Sequence, residues 1–481
     1  MAINTGIYVG EDNPDFRDQA TFNDRWDRGR VAMIGVNTAK SPLIYHDFYN
    51  YKSGFGSTGR IKNFDGVDVF ERLAALDSRL SKSHRLMLTF NVQYEYDDGQ
   101  NASTDKETTP NGIRYGHRRA FYGGTQPGGY TFDEHVAMLG RRMREYTDAG
   151  GEFMRIRFMH EFMGRRKTDK DGGKSWCVFG QDHMYGTPPF NSDTSAEGWR
   201  YKDFIALWKR FVIILVGGTF ASIESRMSNK GVENPNLNID TAKLEAAGYD
   251  GLVASETLAN NPIADPAIDP YALDVDGLAG TWAPVLTGNS EPERSSDPSH
   301  ASNLENYFAY YYPGDEWVGY VGLTLFPKQT DTLTDPIFNE LTNVYGNYSN
   351  DNAGHNKPFS ISAYTRDIGP KVSGVNYKFS TPSPGHAYWS GCTDIAGSNI
   401  TDGSVAATQF ERVFQWAEAR VGAAGDKMRD LVAFEAASAG RCEDGRLGAR
   451  KENDGTEGYP NHMQKSRNHV NGSSGKYAFA T

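Results

Sequence analysis

The sequence predicts a (β/α)8 TIM barrel that carries long loop insertions at its rim and ends in an irregular C-terminal tail. Short apolar runs alternate with amphipathic stretches along most of the chain, which indicates parallel strands joined by helices. About eight such runs span more than 400 residues without a Gly-rich phosphate loop. This combination favours a closed barrel over an open nucleotide-binding sheet.

The predicted strands are short apolar runs, and the predicted helices are longer stretches with one apolar face. Strands are predicted at 5–10, 31–36, 85–92, 153–159, 283–286, 317–325, 359–362 and 431–434. Helices are predicted at 133–148, 201–216 and 410–421. In the first helix Val136, Leu139, Met143 and Tyr146 recur at helical spacing.

The domain organisation follows from where this alternation is interrupted. Residues 1–440 are predicted to form one barrel, with insertions at about 97–131, 227–280 and 366–408. Loops of this length usually have a function, and at a barrel rim they shape the cleft. Residues 441–481 form a polar tail, and from 455 onwards we expect it to be disordered or ordered by a neighbouring chain.

Composition excludes several kinds of partner. The formal net charge is -11, from 50 basic and 61 acidic side chains, which argues against nucleic acid. No run approaches the roughly 18 apolar residues of a membrane-spanning helix. Cys177, Cys392 and Cys442 have neither metal-ligand spacing nor a disulfide pattern, so we expect no metal and no cofactor.

Aromatic residues make up 12% of the chain, and two explanations of this share stay open. A large barrel core uses many aromatic side chains. Sugars also present flat apolar faces that stack on aromatic rings, so the same residues would suit a carbohydrate cleft.

The segment GEFMRIRFMHEFMG, residues 151–164, carries the candidate chemistry. It contains the predicted strand 153–159, and Arg157, His160 and Glu161 lie at or just beyond its end. In a (β/α)8 barrel this is the end at which active sites form. A Glu beside a His is also common as a structural ion pair, and the segment alone leaves both interpretations open.

This segment resembles the acid/base motif of glycoside hydrolase family 26, which comprises mannanases and related endo-glycanases. Arg157, His160, Glu161 and Gly164 match the motif. Further similar segments are scattered between about residues 5 and 435: TGIYVG at 5–10, WCVFG at 176–180, YYPGDEWV at 311–318 and KPFSI at 357–361.

The resemblance implies a role for each matching residue. Glu161 would be the catalytic acid/base, and His160 and Arg157 would set its environment and its pKa. The ligand would be a polysaccharide or oligosaccharide. Aromatic residues expected to form sugar platforms are Trp176, Tyr311, Tyr312 and Trp389.

The chain also departs from the family pattern. Counting from Lys357 and Pro358, the position of the nucleophilic Glu is occupied by Ala363, and Met163 stands where Asn is expected. A retaining glycosidase needs two carboxylates about 5–5.5 Å apart, and alanine cannot attack an anomeric carbon. Either the site no longer hydrolyses, or the residue was changed deliberately, or another carboxylate replaces it. Candidate replacements are Asp367, Glu435 and Glu95.

Two classes of function therefore remain. The first is an endo-acting glycoside hydrolase of the mannanase type. The second is a catalytically degenerate glycan-binding or structural component of a phage tail or similar particle, which would assemble into a virion or a homo-oligomer. No secretion signal is visible at the start of the sequence, yet polysaccharide lies outside cells. We expect an extracellular or virion-surface location, with a cytoplasmic enzyme as the least favoured alternative.

Overall fold

The structure is a computed structural model, and part of the chain can be described. The described residues are 1–8, 26, 29–30, 33–34, 40–50, 85–91, 130–148, 154–159, 201–217, 220–232, 236–248, 282–289, 308–309, 311–325, 336–350, 354–364, 405–434, 437–438, 443–444, 460–473 and 475–480. The chain divides into two compact units. Unit 1 comprises 1–48, 71–88 and 321–481, and unit 2 comprises 49–70 and 89–320.

Strands and helices alternate through both units. The strands are β1 (Ile3–Tyr8), β2 (Ser41–Pro42), β3 (Ile44–Asn50), β4 (Arg85–Asn91), β5 (Met154–Phe158), β6 (Trp282–Asn289), β7 (Tyr320–Leu325), β8 (Phe359–Tyr364), β9 (Met428–Phe434), β10 (Ala437–Ser438), β11 (Glu443–Asp444) and β12 (Tyr477–Ala480). The helices are α1 (Phe132–Asp148), α2 (Tyr201–Val216), α3 (Phe220–Asn229), α4 (Thr241–Ala246), α5 (Pro336–Tyr348), α6 (Val405–Glu418) and α7 (Pro460–Gly472), with a 3-10 turn at Asp315–Trp317.

The fold is a (β/α)8 barrel, as the sequence predicts. Strand β1 and strands β3 to β9 belong to one sheet in chain order. The last of them, β9, runs parallel to β1 and pairs with it from Asn4↔Asp430 to Tyr8↔Phe434. Because the last strand returns to the first, the sheet closes on itself.

In unit 1 the core forms around β1. Tyr8, Ile44, Met87 and Val432 form one buried apolar cluster. At the amino end of β1 the interior becomes polar, because Asn4 donates to Asp430 at 2.8 Å. These contacts bring four strands together through side chains as well as through backbone pairing.

In unit 2 one face of β5 packs against helix α2. The ring of Phe158 stacks on Phe211 with centroids 4.1 Å apart, and Phe90 of β4 stacks on the same Phe211 at 5.5 Å. Helix α1 is joined to α2 by a fully buried ion pair between Asp133 and Arg210. Aromatic packing thus uses one face of β4 and β5 and leaves the other face for the barrel interior.

The prediction of a strand at 31–36 is wrong. Residues Arg30 and Met33 are helical, and Ile34 donates to the Arg30 carbonyl at 2.8 Å, which is a helical hydrogen bond. The second barrel strand is β3, whose sequence IYHDFYN has no continuous apolar run. A short apolar run such as VAMIGV fits a buried helix end as well as a strand, and periodicity cannot separate the two.

The prediction of an irregular C-terminal tail is also wrong, since the tail contains helix α7 and strand β12. Strand β12 pairs with β1 at Ile3↔Tyr477, so the barrel itself orders it. The segment 227–280, predicted to be an insertion with little periodicity, contains the end of α3 and the whole of α4. The sequence analysis missed α7 because its polar sequence shows only a weak apolar face.

A close approach of β7 and β8 at Gly322 gives the first prediction. A Cβ atom at Gly322 would collide with the Ser360 carbonyl oxygen and lie 2.9 Å from the Ser362 Oγ. We expect Gly322→Ala to lower the free energy of unfolding by about 1–3 kcal/mol, as overpacking does, measured by urea denaturation.

The matched control is Gly346→Ala in helix α5, where an added Cβ meets nothing within 4 Å. This change should leave stability unchanged or raise it by about 0.5–1 kcal/mol, because Ala favours the helix. Equal effects of the two substitutions would contradict the close approach.

Candidate functional site

The best-defined part of the candidate site is the guanidinium of Arg157, on β5 in unit 2. It is 1% exposed. It donates to the Thr89 Oγ1 of β4 at 3.1 Å and to the Thr287 Oγ1 of β6 at 3.4 Å. The two flanking strands therefore each supply one hydroxyl to hold it.

The guanidinium reaches towards the carboxyl ends of the strands. In the register of β5 with β6, Ile156 pairs with Pro284. Thr287 lies three residues beyond Pro284, so Arg157 bonds to a position above its own level in the sheet. This is the end of the sheet at which (β/α)8 barrels place their sites.

A second buried guanidinium lies below the first. Arg155, on the same face of β5 by strand alternation, is fully buried. It lies 4.8 Å from the ring centroid of Tyr320 and donates to the Tyr320 hydroxyl at 3.3 Å. Barrel interiors usually hold bulky aliphatic layers, so two stacked cations mark this one as polar.

The chain leaves β5 through an unusual backbone conformation. Met159 has a φ of 51°, in the left-handed region that residues other than glycine rarely adopt. Its amide is fixed by a 2.8 Å hydrogen bond to the Phe90 carbonyl. Such strain of roughly 1–3 kcal/mol persists where surrounding structure imposes it, and it clusters at functional sites. Met159 directly precedes His160 and Glu161.

Most of the other predicted site residues lie outside the described residues. These are His160, Glu161, Trp176, Asp367, Trp389 and Glu435, and Glu95 is outside them too. Their predicted roles stay predictions. Arg157 is described, and it is buried and bonded to the two threonines.

Ala363, the residue counted to the nucleophile position, lies in β8 of unit 1. It pairs with Thr324 of β7; the register against β7 shifts just before it, and the register against β9 shifts between Ile361 and Tyr364. The next residue, Tyr364, packs on Phe414 of α6 at 5.6 Å, so Ala363 points to the opposite face, away from the helix. Bulges of this kind re-aim side chains, often beside active sites.

Two of the predicted sugar platforms belong instead to the region that enters β7. Tyr311 is fully buried, and its ring meets Phe204 edge-on at 5.3 Å, so no sugar can stack on it. Tyr312 is half-buried and donates to Asp315 at 2.5 Å. Both precede Tyr320, the first residue of β7, and so lie towards the amino end of that strand. This position argues against a platform role, since clefts form at the carboxyl ends.

The segment around them is built for structure. Gly314 has φ 112°, a conformation that favours glycine, and it begins the 3-10 turn. The carbonyl of Trp317 accepts from the Trp208 indole at 2.8 Å. The YYPGDEWV sequence thus anchors helix α2 to the start of β7.

Thr89 and Thr287 are the site residues that sequence analysis missed. A threonine inside an apolar strand is common, and nothing in the sequence links these two to Arg157. In a strand, Thr89 and Phe90 point to opposite faces of the sheet, and this alternation is the sequence signal that bears on the position of Thr89.

No helix among the described residues is long and apolar enough to cross a membrane. Within the described ranges no group of three or more His, Cys, Asp and Glu side chains could hold a metal ion.

Comparisons with known proteins give structural likeness only. No model of a protein family matches the chain, and no curated protein matches it. GH26C from Muricauda sp. MAR_2010_75 is similar at 10% identity, covering 99% of this chain and 87% of the other, with a TM-score of 0.46. The catalytic domain of Bacillus sp. JAMB-750 GH26 endo-β-1,4-mannanase is similar at 12% identity. The match covers 99% of this chain and 87% of the other, with a TM-score of 0.45.

A third similar structure is a β-mannanase from a symbiotic protist of the termite Reticulitermes speratus, complexed with gluco-manno-oligosaccharide. Its identity to this chain is 11%, and the match covers 99% of this chain and 88% of the other, with a TM-score of 0.42. At such low identities and TM-scores these likenesses carry no argument about activity.

The hydroxyl contacts of Arg157 give the second prediction. Thr89→Val and Thr287→Val keep the side-chain shape and remove one acceptor each. We expect each to lower the free energy of unfolding by about 1–3 kcal/mol. Thr89→Val should cost more, because its contact with Arg157 is the shorter one, at 3.1 Å against 3.4 Å. Urea denaturation measures both.

The control is the same pair of substitutions in an Arg157→Leu background. Without the guanidinium the two valines should cost little, because a double-mutant cycle isolates the pairwise interaction. Undiminished costs in that background would show that the threonines act on something other than Arg157.

Proposed function

We propose that this chain is a glycoside-hydrolase-like protein that binds polysaccharide at the carboxyl end of β5, across His160 and Glu161. The observation that carries the proposal is the buried Arg157, held by hydroxyls from both flanking strands directly before these residues. A guanidinium held so firmly orients whatever carboxylate lies beside it.

The charge of the barrel interior supports an acidic residue at this place. Arg155 and Arg157 bury two positive charges on one strand, and buried charges favour an anionic partner. Glu161 follows Arg157 by four residues and comes after the left-handed turn at Met159. In the proposed arrangement Glu161 faces the ligand, and the positive charge beneath it helps to fix its position.

We further propose that the chain does not hydrolyse its ligand by the retaining route. Ala363 occupies the end of β8 and faces away from α6, as a nucleophile at that position would. Protonation by Glu161 alone contributes on the order of 100- to 10,000-fold. Because Ala363 supplies no carboxylate, the oxocarbenium-like transition state lacks its anionic partner.

A second candidate is an active endo-glycanase in which Asp367 or Glu435 replaces the missing nucleophile. The complete set of Arg157, His160 and Glu161 favours this candidate, because a pure binding protein has no need of a proton donor. In either case the ligand lies outside cells, so we propose an extracellular protein or a component of a virion surface.

The third prediction separates the two candidates by hydrolysis. The protein is incubated with β-mannan, xylan and mixed-linkage glucan, and reducing ends are assayed. We expect no release by the natural sequence and little change in binding on Glu161→Gln. Ala363→Glu should produce turnover with retention of anomeric configuration, because it restores the second carboxylate.

Its control is Ala363→Gln, which has the size of Glu without the charge and should stay inactive. Release by the natural sequence that Glu161→Gln abolishes would establish the second candidate. Asp367→Asn and Glu435→Gln would then identify the replacing carboxylate.

The fourth prediction concerns the binding surface. Pairs of aromatic rings contribute about 0.5–1.5 kcal/mol, and we expect a pyranose face stacked on an aromatic ring to contribute a similar amount. Trp176→Ala should therefore weaken affinity for an oligosaccharide roughly threefold to tenfold, measured by calorimetry. Raising the salt concentration should change affinity little, since stacking involves no ion pair.

Tyr312→Ala is the matched control, because Tyr312 lies towards the amino end of β7 and should leave affinity unchanged. A steep dependence on salt with no effect of Trp176→Ala would point to an anionic ligand instead.

A further inference from the structure

The last two elements of the chain, α7 and β12, close over its first strand, and we call them the C-terminal clasp. Ile3 of β1 donates to the Lys476 carbonyl at 2.7 Å, and the Thr5 hydroxyl donates to the Ala478 carbonyl at 2.9 Å. On its other edge β12 pairs antiparallel with β2, at Ala480↔Ser41. The clasp therefore fills the space between the amino half of β1 and strand β2.

One histidine joins the clasp to the last barrel helix. The His469 ring of α7 has its Nδ1 2.8 Å from the Glu418 Oε1 and its Nε2 3.2 Å from the Glu411 Oε1. Glu411 and Glu418 lie seven residues apart, two turns along the same face of α6. Between them Phe414 stacks on the imidazole, with centroids 5.2 Å apart and an interplanar angle of 10°.

This geometry has a direct consequence for protonation. A neutral imidazole carries one N–H and can donate to one carboxylate, while its other nitrogen would face the second carboxylate lone pair to lone pair. Only the imidazolium donates to both. The arrangement of His469 between two carboxylates therefore fits the charged form.

The other groups around His469 do not remove this preference. Among the described side chains of α6, the two carboxylates bond to it, and Glu411 also accepts from Lys465 at 2.5 Å. From β12 the Tyr477 hydroxyl donates to Glu418 at 2.7 Å, and Lys476, just before β12, donates to the Glu418 carbonyl at 3.2 Å. Burial and the charge of Glu418 raise the pKa of Tyr477, so its hydroxyl remains a donor at every working pH.

The pKa shifts agree with the geometry. Burial opposes a charge on His469, but the hydrogen bonds and charges of Glu418 and Glu411 outweigh it and raise the pKa of His469. Burial also opposes ionisation of Glu411 and Glu418, yet their partners lower the pKa of each.

The signs define a pH window. Because its pKa is raised on folding, His469 contributes its full stabilisation of the folded state below the ordinary pKa of 6.5. This contribution is lost as the pH rises through the higher pKa of the folded state. Lowered glutamate pKa values stabilise above the ordinary value of 4.5 and lose their contribution as pH falls through the lower folded-state values. Both contributions are full between about pH 4.5 and 6.5.

We propose that the C-terminal clasp is a pH-dependent latch, closed on α6 while His469 is an imidazolium and loosened when it becomes neutral. Loosening frees the edges of β1 and β2 that β12 covers. The latch thus couples alkaline pH to local opening of the strand with which the barrel closes. This inference does not depend on the proposed function.

Hydrogen exchange of the full chain tests the latch. Protection of the backbone amides of 477–480 and of Ile3 is measured at pH 5.5 and pH 8.5, with exchange times scaled for the intrinsic rate. We expect protection to fall at the higher pH, by about tenfold for each unit by which folding raises the His469 pKa. In His469→Gln, protection should be low at both pH values, with the pH response lost.

The control is His355→Gln, which changes a histidine stacked on Tyr348 of α5 and should keep the full pH response. A second measurement needs no variant: the His469 imidazole, followed by NMR in the natural protein, should have a pKa above its ordinary value of 6.5. Equal protection at both pH values, an unchanged response in His469→Gln, or a His469 pKa at or below 6.5 would overturn the latch.

Discussion

The candidate site depends on a positive charge that the fold buries and holds. Arg157 lies in a closed sheet at 1% exposure, and desolvating a guanidinium costs several kcal/mol unless hydrogen bonds and an opposite charge compensate. Thr89 and Thr287 meet part of that cost from the two flanking strands. Strand alternation puts Arg157 on the face of β5 opposite Phe158, whose ring stacks on Phe211 behind the strand.

The second constraint is closure of the barrel at β1. This strand pairs with β9 along its length, with β12 at its start and with β3 at its end. Because a closed barrel has no free edge, the pairing of β1 with β9 is needed to complete the sheet. The ordered tail and the His469 cluster follow from this arrangement, because they hold strand β12 against the start of β1.

Much of the fold could be predicted from sequence, because buried parallel strands appear as continuous apolar runs. Strand β5 and helix α2 match their predicted ranges within a residue or two. Strand β3 could not be found, since IYHDFYN mixes polar and aromatic residues and a better apolar run precedes it. Helix α7 depends on contacts with α6, about fifty residues earlier, and strand β12 on pairing with β1, more than 400 residues earlier; the local sequence pattern carries no trace of either contact.

The site itself was predictable only in part. The segment from Arg157 to Glu161 is local, so its residues could be named together and set at a strand end. The threonines that hold Arg157 come from strands 68 and 130 residues away in sequence, and threonine has no preferred partner that would reveal them. Tyr311 and Tyr312 show the opposite failure: aromatic type suggested stacking, while their place before β7 gives them structural contacts.

The central claim is that a polysaccharide lies across the carboxyl ends of β4, β5 and β6, over Arg157. A crystal structure of the protein soaked with oligosaccharides of mannan, xylan and mixed-linkage glucan tests it most directly. The account predicts sugar density beside Glu161, with its carboxyl group within hydrogen-bonding distance of a glycosidic oxygen. Sugar bound at the amino ends of these strands, or no sugar bound in any soak, would contradict it.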